Sequence, residues 1–202
     1  MVSGDATRLR DLSLVEMLAH LIPERVGAPL SINSLRQPLG VAFETVRDWL
    51  HVLEAFYYIF RISPYAGSLA RALRKEQKAF LYDWAEVQGE GARFENLVAL
   101  HLHKAVSTWR ARGEGDFELH YVRDKEKREA DFLVTLARRP LLLVECKAAD
   151  GEPAPALAHF QERLKVPWAV QLVGRPGVLR KAGRWGWVRW IASADRWLAI
   201  LP

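Results

Sequence analysis

The chain has 202 residues, 50% of them apolar and 26% charged, the balance of a globular protein with one large or two small domains. That composition excludes collagen-like, disordered and disulfide-built chains. The net charge of +5 is concentrated in residues 175–202, where six basic side chains face the single acid Asp195, while the first 174 residues balance at 23 of each sign. The longest apolar run, residues 55–60, is far short of the ~18 residues a membrane span requires. The polar start, with no apolar segment behind it, reads as no secretory signal. One cysteine, Cys146, cannot form an internal disulfide. These features predict a reducing, cytoplasmic setting and no membrane.

Residues 10–62 read as helices. Leu12, Leu14, Val15, Leu18, Leu21 and Ile22 recur at helical spacing, and Pro23 should end that helix within a turn. Residues 31–40 supply a polar capping cluster, a short helix and a terminating glycine, Gly40. A second amphipathic helix follows over residues 41–54, with Val46, Leu50 and Leu53 on its apolar side. Helix, glycine turn, helix is the helix-turn-helix pattern, and the strand formers of residues 56–63 suit a wing behind it. The would-be reading helix carries Glu44, Asp48 and Glu54 against Arg47, so it is net negative and poorly suited to phosphates. A docking scaffold is the better reading of this unit than a DNA reader.

The second unit, from residue 78 to the end, alternates in type. Residues 94–109 are helical, three strands follow at 117–122, 130–136 and 141–147, then a helix at 156–164 and a strand at 168–173. This order predicts an α/β (α+β) fold, a mixed sheet flanked by helices, behind a winged-helix-like helical unit spanning residues 1–77. Residues 141–144, apolar without alternation, fit a central strand buried on both faces. In the tail, Trp185, Trp187, Trp190 and Trp197 interleave with arginines. Two readings stay open there: a grip on phosphates and bases, or a hairpin whose indoles cover a sheet while its arginines stay wet.

The chemistry concentrates around two strands. Glu145 and Lys147 share one face of theirs and Cys146 takes the other. Asp131 precedes an apolar run one strand earlier. A hairpin turning at residues 138–140 would bring Asp131 and Glu145 together at one end of the sheet. Two close carboxylates repel unless a cation lies between them, and Mg²⁺ suits carboxylates, a backbone carbonyl and waters. Lys147 beside such an ion could hold water or stabilise charge on a phosphate, and Glu95, near the start of the preceding helix, could reach in from the side. His101 and His103, two apart on a helix, read as packing or surface residues.

Five motifs stand in order: the helical unit, Lys78-Ala-Phe-Leu-Tyr-Asp83, Phe94-Glu-Asn96, Glu129-Ala-Asp-Phe132 and Glu145-Cys-Lys147. Over about residues 10–175 this set resembles the PD-(D/E)XK nuclease-like superfamily. Within it, the set is most similar to a winged-helix plus nuclease-like domain that follows AAA-type ATPase modules in bacteria and archaea. The resemblance implies a nuclease-like domain over 78–202, acting on or binding nucleic acid. It implies Mg²⁺, or Mn²⁺ in its place, held by Asp131, Glu145 and the carbonyl of Cys146. Lys147 would assist catalysis and Glu95 would position metal or water. The alternative it leaves is a catalytically inactive accessory module of an AAA-type ATPase. Ala130 replaces the proline of the nominal Pro-Asp. No phosphate-binding loop of the Gly-x-x-x-x-Gly-Lys-Ser/Thr kind occurs, so the chain is expected not to be an ATPase on its own.

Overall fold

The computed structural model describes residues 2–66, 76–149, 151–183 and 188–202, of which 2–10 by backbone alone. Three helices come first: α1 (Val2–Leu21), α2 (Ile32–Leu39) and α3 (Phe43–Ala55). Pro23 ends the first of them, starting a single 3₁₀ turn (Pro23–Arg25). Gly40 ends the second in the left-handed region at φ 64°, where its N–H closes onto the last carbonyls of α2. Leu35, Leu39, Val46, Leu50 and Leu53 turn inward from α2 and α3 into one cluster with Leu18 of α1 and Ile22 just after it. An isolated bridge from Pro29 to Lys78 and the antiparallel pair β1 (Ile59–Pro64) with β2 (Lys78–Leu81) complete a winged-helix arrangement. The tip of the expected wing, residues 67–75, lies outside the described residues.

The helical unit is built onto the sheet. β1 pairs on its other edge, in parallel, with β3 (Phe117–Arg123) through Ser63 and Pro64. The sheet then continues through β4 (Glu129–Leu136), β5 (Arg139–Lys147), β6 (Trp168–Val173), β8 (Arg189–Ser193) and β7 (Leu179–Ala182), eight strands in the order β2-β1-β3-β4-β5-β6-β8-β7. Among the described residues, three more helices cover it: α4 (Glu90–Ala111), α5 (Pro155–Leu164) and α6 (Ala194–Ala199). One large cluster joins α1, α2 and α3 to β1, β2 and α4 and runs on to Phe132, Val144, Leu172 and Leu198. A smaller cluster, Leu133 and Leu143 with Leu157 and Phe160 of α5, fills the opposite face. The two clusters read out the face of each strand residue.

The expected strands and helices are found, with differences at their ends. The β4–β5 hairpin turns at Ala137 and Arg138, both at positive φ, one residue earlier than the sequence suggests. Such a turn follows the right-handed twist of its strands without help from glycine. In the tail β7 and β8 pair as a hairpin inside the sheet and Trp190 and Trp197 pack on the large cluster, as the covering reading has it, but Arg189 is buried against Glu162 at 2.8 Å where that reading kept the arginines wet. Arg184, Trp185 and Trp187 lie outside the described residues. Among the described residues, no helix is long and apolar enough to cross a membrane.

β2 lies at one end of the sheet; Pro29 meets its outer edge at Lys78, and a side chain caps it at Leu81. The Asn96 amide of α4 accepts from the Leu81 N–H and donates to the Leu81 carbonyl, both at 2.8 Å, in a fully buried position. Replacing Asn96→Ala strands both backbone groups, each costing about 1–3 kcal/mol. The expected loss is roughly 2–5 kcal/mol in urea unfolding, against less than about 0.5 kcal/mol for exposed Glu44→Ala.

Candidate functional site

Asn96 belongs to a larger joint between β2 and α4. One residue before it, Glu95 Oε1 accepts from Lys78 Nζ at 3.1 Å, and Lys78 begins the strand that Asn96 caps. Lys78 has no exposed surface at all. Its ammonium also meets Glu129 Oε1 of β4 at 2.6 Å and lies over the Tyr121 ring, 5.4 Å from the centroid. Burial alone would lower the Lys78 pKa, but Glu95, Glu129 and Asp131 outweigh it and hold the group firmly cationic. Arg123 adds a second cation at 3.5 Å from Glu129. The loop after the 3₁₀ turn leaves room for Glu95: a Cβ at Gly27, which has φ +82°, would stand 2.7 Å from Glu95 Oε2.

Asp131 occupies an irregular point of its strand. Ala130 and Leu133 both pack in the smaller cluster although three residues apart, so the alternation slips between them. The neighbouring ladder shifts register between His120 and Val122 at the same level. Bulges of this kind re-aim a side chain. Here Asp131 Oδ2 accepts the N–H of Cys146 at 2.7 Å, crossing to the adjacent strand β5. Cys146 itself packs with the large cluster, whereas alternation sends Glu145 to the side of Leu143.

Glu145 is 4% exposed and pairs through Oε1 with Lys147 Nζ at 2.9 Å. Its Oε2 is buried with no hydrogen-bond partner. The backbone N–H of Asp131 faces the carboxyl and, with Lys147, works to lower its pKa. Desolvation first, then the charge of Asp131, pushes Glu145 up to about 7 against the relief Lys147 gives. The same two causes raise Glu95 to about 8 despite Lys78. Burial raises Asp131 as well, opposed by Lys78 and the Cys146 N–H, and lifts the Cys146 thiol well above its ordinary value. Lys147 is raised: burial lowers it, and its hydrogen bond and charge pairing with Glu145 outweigh that.

The anticipated residues therefore fall into two linked halves. Glu95 stands with Lys78 and Glu129; Glu145 stands with Lys147; Asp131 acts on both carboxyls across the strand ends. Lys78 is the residue that sequence reasoning overlooked, although it opens one of the five motifs. Among the described residues, no group of three or more His, Cys, Asp or Glu could hold a metal between them. Mg²⁺ characteristically binds through one or two carboxylates, its remaining positions taken by waters and phosphates. Asp131 and Glu145, with a buried carboxyl oxygen unpartnered, fit that lesser demand.

Elsewhere the anticipated residues are structural. His103 stacks on Phe60 with ring centroids 4.3 Å apart and bonds the Tyr82 hydroxyl through Nε2 at 3.2 Å. On α3, Arg47 is paired with Asp48 at 3.0 Å, which leaves that helix face without a free arginine.

Two family models match the chain, both described as domains of unknown function: DUF8612 over residues 4–85 and DUF4143 over residues 90–182. The matches meet between the 3₁₀ turn Trp84–Glu86 and α4. No curated protein and no solved structure matches the chain.

Lys78→Met should destabilise the protein by about 3–5 kcal/mol at pH 7, because removing one partner of a buried pair leaves the others uncompensated. Adding Glu95→Gln should recover part of that loss in a double-mutant cycle of urea unfolding. A second prediction concerns pH. Glu95 and Glu145 have folded values above the unfolded value near 4.5, so the folded state binds extra protons between 4.5 and about 8. Stability must then fall as pH rises through that window. His101, His103 and His120 are lowered, so they reduce stability only below about 6.5. In EDTA, unfolding free energy should drop by roughly 1–3 kcal/mol from pH 6.5 to 8. The double variant Glu95→Gln, Glu145→Gln should flatten the slope.

Proposed function

We propose that the chain is a nuclease-like module whose strand-end carboxylates take Mg²⁺, or Mn²⁺ in its place, and act on phosphodiester bonds of nucleic acid. One observation carries the reading: Glu145 Oε2 is buried, unpartnered and electrostatically opposed to Asp131. A buried carboxylate oxygen without a partner is costly, and a divalent cation relieves it, as a proton does at lower pH. Asp131 and Glu145 would hold the ion with the Cys146 carbonyl. When bound, the ion supplies Lewis-acid polarisation of a phosphoryl oxygen and a more acidic water.

The chain's own residues do the rest. Asp131, fixed by the Cys146 N–H, keeps one carboxylate oxygen oriented at the strand end. Lys147 is half-exposed, so its ammonium can leave Glu145 for a substrate phosphate or its attacking water. Lys78 holds Glu95 and Glu129, which limits the negative charge that an approaching phosphate meets. A reducing cytoplasm is the setting the free thiol of Cys146 supports.

A second reading is favoured by a different feature. Lys78 and Lys147 neutralise their acids internally, as a closed structural network would, and this supports a non-catalytic module of an AAA-type ATPase. The two readings part in a direct assay. Purified protein with single-stranded and plasmid DNA should cleave only with Mg²⁺ or Mn²⁺, and Asp131→Asn and Lys147→Ala should each lower the rate by about a hundredfold or more. Mn²⁺ should also raise the unfolding midpoint of the wild type and not of Asp131→Asn. No cleavage together with no Mn²⁺ stabilisation would replace the nuclease with the accessory module, and cleavage that survives Lys147→Ala would be a contaminant's.

A further inference from the structure

Beside the strand-end carboxylates lies a cleft of about 430 Å³ that the proposed chemistry does not use. Its walls come from three places. Trp84 stands on the 3₁₀ turn after β2; Arg93 and Phe94 lie in the first turns of α4; Ala148, Gly174 and Arg175 follow the ends of β5 and β6. Those two strands are parallel neighbours, with Lys147 level with Val173, so Ala148 and Gly174 leave the sheet side by side. A Cβ on Gly174 would come within 3.2 Å of the Ala148 carbonyl, so the small residue lets the two chains converge under the cleft. Open α/β sheets bind ligands outside the carboxyl ends of their parallel strands. Ala148 directly follows Lys147 and Phe94 directly precedes Glu95, so two residues lining the cleft are chain neighbours of site residues.

The lining has a definite chemistry. Trp84 is 40% exposed, an indole that presents surface instead of burying it. Arg93 donates Nε to the Val87 carbonyl at 3.1 Å and, among the described residues, forms no ion pair. Arg175 is anchored by its backbone, since its carbonyl accepts from Ser193 Oγ at 2.8 Å, and its guanidinium too has no ion-pair partner among the described residues. The one acid of the lining, Glu90, is exposed at the start of α4. An aromatic plate beside two unpaired guanidinium groups is what an unstacked base and its phosphates require. A continuous duplex offers no free base face to that plate.

We propose that this cleft is a subsite for single-stranded nucleic acid, in which Trp84 stacks on a base while Arg93 and Arg175 hold the flanking phosphates next to the strand-end carboxylates. The assignment rests on the phosphodiesterase reading for its substrate class, but its test does not depend on cleavage. Binding of a fluorescently labelled oligo(dT) and of a duplex of equal length is measured by anisotropy in EDTA, over a series of salt concentrations. The wild type should prefer the single strand. Trp84→Ala should weaken oligo(dT) binding about tenfold with the salt slope unchanged. Arg175→Ala should weaken it and lower the salt slope by about one phosphate contact. Trp84→Phe should keep most of the affinity, which separates stacking from a folding defect, and all variants should share the wild-type unfolding midpoint within a few degrees. Equal binding by Trp84→Ala and wild type, or a wild-type preference for duplex, would overturn the subsite even if Mg²⁺-dependent cleavage is found. Loss of binding in the variants with no cleavage by the wild type would keep the subsite and remove the phosphodiesterase.

Discussion

The joint between β2 and α4 governs the rest of the architecture. Two consecutive residues at the start of a long helix hold the two ends of one short strand: Glu95 takes the Lys78 ammonium and Asn96 takes the Leu81 backbone. A four-residue edge strand has little stability of its own. The fixed amide replaces the missing neighbour strand, and the fixed ammonium ties the strand's first residue to the acids. α4 then lies in one position along the sheet, because it crosses β2, β3, β4 and β5 from a start that cannot slide.

That joint also sets the electrostatics of the strand ends. Lys78 is completely buried, so its charge must be answered by nearby carboxylates, and Glu95 and Glu129 answer it. Asp131 and Glu145 are then left with less cation than they need. Lys147 reaches one oxygen of Glu145, and the other has no partner. The elevated values of Glu95 and Glu145 express the same imbalance as a proton affinity. These acids lie towards the carboxyl end of β5, which runs parallel to β6, and near the start of a long helix.

Sequence pattern foretells elements better than it foretells partners. The strand at 168–173 and the stops at Pro23 and Gly40 follow from local chemistry, since a proline without an N–H and a glycine free at positive φ act wherever they stand. The eight-stranded sheet is less legible, because nothing local says that β1, a wing by its position, also pairs with β3, or that β8 inserts between β6 and β7. In the site, Glu145 and Lys147 are readable as neighbours on one strand face, and the structure pairs them. Lys78 is not readable in the same way: a lysine at a strand start is ordinarily solvated, and only three acids from two distant segments reverse that expectation. The slip at Asp131 is equally hidden. It depends on how β3 and β4 register against each other, a property of the pair and of neither strand.

The two units are mechanically one at this point. Gly27, in the connection from α1 to α2, packs its bare backbone against Glu95, so the helical unit touches the acid that holds Lys78. β1 carries the same unit's last strand into the sheet beside β3, and Tyr121 of β3 donates its hydroxyl to the Glu76 carbonyl at 2.6 Å, two residues before Lys78. A force on the winged-helix face, such as a docked partner would exert, therefore has short covalent and hydrogen-bonded routes to Lys78. Displacing that ammonium by even an ångström would change the field at Asp131, since charge–charge energy in a buried setting varies steeply with distance. In this chain the helical unit and the strand-end carboxylates are connected through a single lysine.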